Sequence, residues 1–589
     1  MFLITTADQR FWPSGGPVLF LGEWCKLYDQ KHIYERLESE TLAYHWDDRA
    51  RLYADYRYLG GVYEKYLDTL VSKLNDLHRV NHSQRFWRIV VGPWLRYFIE
   101  IFYDRYLSVC AAADRQCVTD TLIADTSRLA PPLDFPEFNK WFASDFYNHT
   151  LYSWLIERTQ RLPYHKILAE SESADAGSYT SVGRDIIAGL ISGVARVMPA
   201  ERTQISLLTT QLSAVDLLRL NIALRQFPWL AAPPIRVKQR PAASPSSRRR
   251  LLLEDGNTPF EKLLDAAIAE YVPLAYVEAF EDLRKRAHKA YPRKSNVIVT
   301  SAAETFDEAF KIWTASQVDK GATVTMSQHG GSFGACLWMS TEDHQIRISN
   351  RFYSWGWRDE TTPSIKPMPG FKLIGIEKRI RYSNSGRILW ALASCPRYSF
   401  RMMSIPVAGQ FLSYLEEQFR LASALPPQVR VRITVRLYPE KYGWSEGLRW
   451  RERFPDIEID DGTRNMEGQL SRSSLFIGTY NATTFLETLA ADFPTIMFWD
   501  PRYWELRPNA QPYYDRLQKV GIFHTSPESA ASKINEVYKD PLKWWSLPAV
   551  QEVRHEFCER FARTNNEWIR EWKLELSGLN QSSSRSAGA

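Results

Sequence analysis

Cysteine is scarce in this chain. Its six thiols, Cys25, Cys110, Cys117, Cys336, Cys395 and Cys558, form no CxxC pair and no Cys/His cluster at metal-ligand spacing. That excludes a disulfide framework and a zinc ribbon, and it fits a reducing cytoplasm. Charge of one sign is also in short supply. Seventy-four Lys and Arg against 68 Asp and Glu leave +6 over 589 residues. Such a balance suits an anionic ligand or a passing contact with a membrane surface, and argues against a nucleic-acid protein. Long hydrophobic runs are missing. The most apolar stretch, Phe86 to Phe102, is broken by Arg88, Arg96 and Glu100, so no bilayer span is expected. The opening MFLITTADQRFW has an early Asp and Arg and no apolar h-region, so it does not read as a signal peptide. No Asp-x-Asp pair stands at a strand end, so neither a divalent metal nor a resident cofactor is expected.

The chain does have an apolar interior to build with. Hydrophobic residues make up 44% and charged residues 24%, and the length corresponds to two to four domains at about 150 residues each. The 21 Trp, 29 Tyr and 29 Phe are mostly core material, with enough left over to leave room for a dimer. Short strand candidates at Phe2 to Thr6 and Val18 to Gly22 each deliver polar side chains at their carboxyl ends. From Asp47 to Leu77 and from Gln84 to Tyr106 apolar residues recur at helical spacing. Helical character then dominates to about residue 290. The Pro-, Ser- and Arg-rich segment Pro233 to Gly256, with Arg248, Arg249 and Arg250, reads as a mobile solvated loop.

Strand signals return at Val297 to Thr300, Thr323 to Ser327, Phe352 to Trp355 and Phe371 to Ile374. A second βα series begins near Gly386, with strands at Arg387 to Ala393, Val429 to Leu437, Ile457 to Ile459, Leu475 to Ile477, Thr495 to Phe498 and Gly521 to His524. The expected fold is therefore α/β, with two Rossmann-like doubly wound domains facing a cleft. Residues 1–384 form the first, with an α-rich insertion at about 47–290, and residues 385–540 form the second. A helical segment at 541–577, rich in Trp, crosses back over the first domain, and 578–589 is a disordered tail.

The segment LFIGTYNATTFLE, Leu475 to Glu487, reads as strand, anion-binding turn and helix. Gly478, Thr479, Tyr480, Asn481, Thr483 and Thr484 would offer backbone N–H groups and hydroxyls to a phosphate at a helix N-terminus. Glu487, one turn further on, could accept both hydroxyls of a ribose. Gln328, His329, Gly330 and Gly331 follow the TVTMS strand, where glycine permits close backbone approach and His329 can serve as acid, base or phosphate donor. Arg436 at the end of another strand is a candidate to neutralise a phosphate. Asp48 and Glu23 are the candidate acceptor-activating carboxylates, although Asp47 and Asp48 equally suit a helix cap.

TTADQRFW, VLFLGEWCKLY, QHGG, FYSWGW and GTYNATTFLETLA together resemble a family of bacterial transferases from O-antigen and other surface-polysaccharide clusters, over residues 1 to about 575. More distantly, the C-terminal half is similar to the nucleotide-sugar domain of GT-B glycosyltransferases, including capsule enzymes that use CMP-activated Kdo or related nonulosonic acids. Where those often carry Lys-x-His-Pro, this chain has Arg436, Leu437, Tyr438 and Pro439 and lacks the histidine. The resemblance implies a cytoplasmic or membrane-peripheral GT-B-like glycosyltransferase, with a nucleotide-sugar donor and a glycan or lipid-linked glycan acceptor. A sugar-nucleotide epimerase, a polyol-phosphate transferase and a non-catalytic assembly scaffold are the alternatives.

Overall fold

The computed structural model describes residues 1–125, 130–168, 204–227, 235, 237 and 239–586. Three sheets carry the fold, and every strand pairing within them is parallel. The first comprises β1 (Phe2–Ile4), β2 (Val18–Phe20), β3 (Ser39–Thr41), β4 (Asp120–Ala124) and β5 (His165–Ile167), in the order β3-β2-β1-β4-β5. The second comprises β6 (Ile205–Leu207), β7 (Val297–Thr300), β8 (Thr323–Ser327), β9 (Arg351–Ser354) and β10 (Ile365–Pro367), in simple sequential order. The third comprises β11 (Arg387–Ala391), β12 (Ile433–Arg436), β13 (Glu458–Asp460), β14 (Ser473–Gly478), β15 (Thr495–Phe498) and β16 (Phe523–His524), in the doubly wound order β13-β12-β11-β14-β15-β16.

The α/β architecture expected from the sequence is present, with one addition. Residues 1–384 hold two five-stranded sheets, and β4, β5 and β6 lie inside the stretch that reads as an α-rich insertion. Residues 371–373, read as a strand, form a 3-10 turn that follows β10. Parallel strands must be covered on both faces, and the second sheet shows how. Ile298 of β7 faces the main core, whereas its neighbours Val297 and Val299 face Trp568, Trp572 and Leu576 of the terminal helix. That helix runs Trp568–Ser586, through residues that read as a disordered tail, and its Trp572 stacks on Phe371 at 4.1 Å; 587–589 lie outside the described residues.

Two sequence readings of charged residues change here. Asp48 caps the helix Arg49–His78, accepting from the amides of Ala50 and Arg51 at 3.0 and 3.1 Å. Arg248 is buried, not solvated. In the short helix Pro245–Arg250, capped by Ser244, it donates to the carbonyls of Ala269, Glu270 and Val272 at the end of the helix Pro259–Tyr271 and pairs with Glu278 at 3.0 Å. No described helix is long and apolar enough to cross a membrane.

Candidate active site

The carboxyl ends of the second and third sheets meet at two loops. After β8, Gly331 N–H donates to the Thr483 hydroxyl at 3.0 Å, and the Ser332 hydroxyl donates to the Asn481 carbonyl after β14. The approach is close enough that a Cβ on Gly331 would sit 2.0 Å from the Ala482 oxygen. Glycine is required there by contact with backbone, not by its dihedral freedom. The helix Thr483–Ala490 thus begins at the seam between sheets, and no side chain caps it.

His329 lies beside this seam. Its Nδ1 is buried without a hydrogen-bond partner, and its ring meets Phe333 edge-on at 5.1 Å. Burial, followed by the positive charges of Arg401 and Lys372, pushes its pKa down to about 4, so the imidazole is neutral at pH 7. Arg401 comes from the loop after β11, and its Nε is also buried without a partner. Lys372 comes from the turn after β10 and pairs with Glu487 at 3.2 Å. Glu487 is itself buried, and that burial raises its pKa against the pull of Lys372. Two cations, a neutral imidazole and an uncapped helix N-terminus converge on one place. Such a grouping can hold an anion.

Several residues read as ligand contacts serve the frame instead. Gln328 is sealed in: its amide donates to Gly330 O at 2.8 Å, and its oxygen accepts from Trp355 N and Trp357 Nε1, each at 2.9 Å. It holds the loop that presents His329. Gly330 needs little space, since a Cβ there would meet only the Thr483 hydroxyl at 3.0 Å. Arg436 is directed sideways by strand register. It lies opposite Asp460 of β13, pairs with it at 3.2 Å, and donates to Gln469 and the Gly462 carbonyl. It is committed to the sheet and is not free to meet a phosphate. The Thr479 hydroxyl is buried between Ala391 O and Tyr414, at 3.1 and 2.8 Å. Asn481 accepts from Tyr514 and is sealed at the seam, while Gly478 closes β14 against Phe476 and Phe485. Tyr480 and Thr484 share a hydrogen bond at 3.3 Å.

The N-terminal carboxylates gather elsewhere. Glu23 pairs with Lys26 at 3.1 Å and lines a cavity of about 350 Å³ with Asp47, Tyr44, Gly409 and Tyr503, between the first and third sheets. Among the described residues no contact links Glu23 or the capping Asp48 to His329. Lys372 and Arg401 escaped the sequence reading, because neither belongs to a motif. Their position in the loops that follow parallel strands β10 and β11, five and ten residues past the strand ends, is the signal that would have found them. Larger cavities of about 610 and 510 Å³ run along the terminal helix and beside residues 374–379, away from this seam. Among the described residues no group of three or more His, Cys, Asp or Glu could hold a metal ion.

Residues 1–576 match the model of the LIC12162 family transferases, and the chain belongs to that family. No curated protein matches the sequence. Among solved structures, the chain is similar to MurG of Acinetobacter baumannii, with 11% identity over 67% of this chain and 96% of that one, and a TM-score of 0.31. It is also similar to Alr3699/HepE of Anabaena in complex with UDP and glucose, with 11% identity over 64% and 100% of the two chains, and a TM-score of 0.34.

Proposed function

We propose that this transferase is a GT-B-like glycosyltransferase that moves a sugar from a nucleotide-activated donor to a bacterial surface-polysaccharide acceptor. One observation carries the reading: the carboxyl-end loops of two parallel sheets meet around the unpartnered Nδ1 of His329 and Nε of Arg401, with Lys372 alongside. In the reaction, an acceptor hydroxyl attacks the anomeric carbon, the bond from that carbon to the phosphate oxygen breaks, and the acceptor proton goes to neutral His329. Arg401, Lys372 and the helix start at Thr483 take up the charge left on the phosphate, so the reading needs no divalent metal. The approaching phosphate raises the His329 pKa toward neutrality and makes it a better base. Lys372 leaves Glu487 for the phosphate, and the freed carboxylate accepts donor hydroxyls. The family resemblance supports a cytoplasmic enzyme, peripheral to the inner membrane, and only the more distant likeness of the C-terminal half points to a CMP-nonulosonate or Kdo-type donor.

The test is thermal shift with CMP, UDP, GDP and CDP, followed by a mass-spectrometric donor screen with CMP-, UDP- and GDP-sugars. A stabilising nucleotide, and transfer that disappears in His329→Ala while the nucleotide shift persists, are expected. No shift from any nucleotide would favour a scaffold, and donor isomerisation without transfer would favour an epimerase.

A further inference from the structure

The helix Ala214–Ala223 and the turn after it are apolar on two opposite faces, and the fold uses one of them. Leu217, Leu220 and Leu224 recur at i, i+3 and i+7 and pack on Trp568, Trp572 and Leu576 of the terminal helix, over the second sheet. Val215, Leu218 and Ile222 follow the same spacing two residues earlier, which puts them about 200° around the helix. They are 67%, 48% and 65% exposed. A helix that lies on a core normally turns polar residues outward. Single exposed leucines are ordinary, but an apolar stripe opposite a core stripe marks a surface that meets something.

The charges on this layer select the partner. Asp216 pairs with Arg219 at 3.0 Å, and on the terminal helix Glu571 pairs with Arg563 at 2.9 Å and Glu575 with Lys366. Glu567 lies 4.0 Å from Arg570, Arg379 pairs with Glu467 at 2.9 Å, and Glu377 adjoins Lys378 in the neighbouring turn. Each of these carboxylates is offset by a cation, and the exposed Arg225 and Lys573 are left over. An apolar helix face beside surplus Arg and Lys fits the headgroup layer of an anionic bilayer. A second copy of the chain fits less well. Three side chains of a ten-residue helix fall short of the roughly 800 Å² per partner that a stable protein interface buries. The helix is also tied to the reaction cleft. In the loop that leads into it, Gln211 Nε2 donates to the His329 carbonyl at 2.9 Å.

We infer that the outer face of the helix Ala214–Ala223 docks on an anionic lipid bilayer; the reason for bringing a bilayer beside the cleft, a lipid-linked acceptor, rests on the glycosyltransferase reading, while the docking face does not. Vesicle flotation of the full chain tests it, with vesicles of phosphatidylethanolamine and phosphatidylglycerol set against vesicles of phosphatidylcholine alone. Val215→Gln, Leu218→Gln and Ile222→Gln combined keep the helix propensity and remove only the outer stripe. The wild type should float with the anionic vesicles, and the triple variant should lose at least about tenfold in partitioning, since three apolar side chains no longer leave water. Arg225→Gln should lose roughly fivefold on the anionic vesicles, the share of one cation, and little on phosphatidylcholine. Nucleotide-induced thermal shifts should be unchanged in both. No flotation, or flotation indifferent to the triple variant, overturns the docking face. So does a triple variant that melts well below the wild type without vesicles, which would place the stripe inside the fold, and so does a wild-type dimer in sedimentation that the triple variant dissociates. Flotation that the triple variant abolishes, in a protein that no nucleotide stabilises, keeps the docking face and overturns the glycosyltransferase reading.

Discussion

Gly331→Ala should be far more damaging than Gly330→Ala, although the two glycines are neighbours in one loop. At Gly331 an added Cβ would lie 2.0 Å from the oxygen and 2.2 Å from the carbonyl carbon of Ala482. Both are backbone atoms at the start of a helix and cannot rotate away. The loops must part by more than an ångström, which costs about 1–3 kcal/mol as overpacking. Parting them also strains the bonds from Gly331 to Thr483 and from Ser332 to Asn481, each worth about 1 kcal/mol. The total is about 3–5 kcal/mol. At Gly330 the nearest atom is the Thr483 hydroxyl at 3.0 Å, the end of a side chain, and the cost stays below about 1 kcal/mol. At roughly 2–4 °C per kcal/mol for a domain of this size, Gly331→Ala should lower the melting temperature by at least about 6 °C. Differential scanning calorimetry with and without a bound nucleotide reads both the loss and any failure of the cleft to close. Equal melting temperatures for the two variants would refute the contact between the sheets, and with it the site.

Other substitutions separate frame from chemistry. Asp48→Ala should cost about 1 kcal/mol in urea unfolding, as the loss of a helix cap, and leave turnover unchanged; a large drop in kcat would restore it as a catalytic candidate. Arg436→Met leaves the buried Asp460 with only the exposed Arg464 as its cation, at 3.2 Å, and should destabilise by about 1–3 kcal/mol, whereas a variant of normal stability that no longer binds nucleotide would return Arg436 to the phosphate. Burial raises the Glu304 pKa from 4.5 to about 7, so its folded form keeps a proton that the unfolded chain releases. The wild-type protein should therefore lose up to about 3 kcal/mol as pH rises from 4.5 through 7, and Glu304→Gln should abolish that slope in urea midpoints. An identical slope in the variant would place the titration elsewhere.

The third sheet was legible because its inner strands are apolar on both faces: β14 and β15 are buried throughout, and each reads as a continuous hydrophobic run before a helix. The first sheet was not. Its edges, β3 (SET) and β5 (HKI), are short, polar and largely exposed, so they carry neither alternation nor an apolar run. The 30-residue helix Arg49–His78 and the helix Gly92–Asp114 fill the crossover from β3 to β4, which makes part of a sheet look like a helical insertion. At the site the loops were legible and the roles were not. Glycine and hydroxyl content marked the turns after β8 and β14, but which side chains packing would consume depends on register, as with Arg436 opposite Asp460, and on neighbours distant in sequence, as with Gln328 beneath Trp355 and Trp357.

The N-terminal motifs that invited a catalytic reading gain a different purpose from the loop after β11. Arg397 of that loop donates to the Trp24 carbonyl and pairs with Asp145 at 2.5 Å, and Asp145 in turn accepts from Ala7 N at the end of β1. Four residues after Arg397 comes Arg401, and Met402 N then donates to Glu100 on a helix of the first sheet's crossover at 2.8 Å. Arg401 is thus held between two anchors supplied by the first sheet. Its charge is felt at His329, its guanidinium lies over the Phe400 ring, and no salt bridge among the described residues holds it, so the anchors on either side fix where that cation sits. In the proposed reaction, the residues around Thr5 to Trp24 would act by fixing that loop. Loosening Arg397 should therefore weaken the hold on a phosphate even though it touches none.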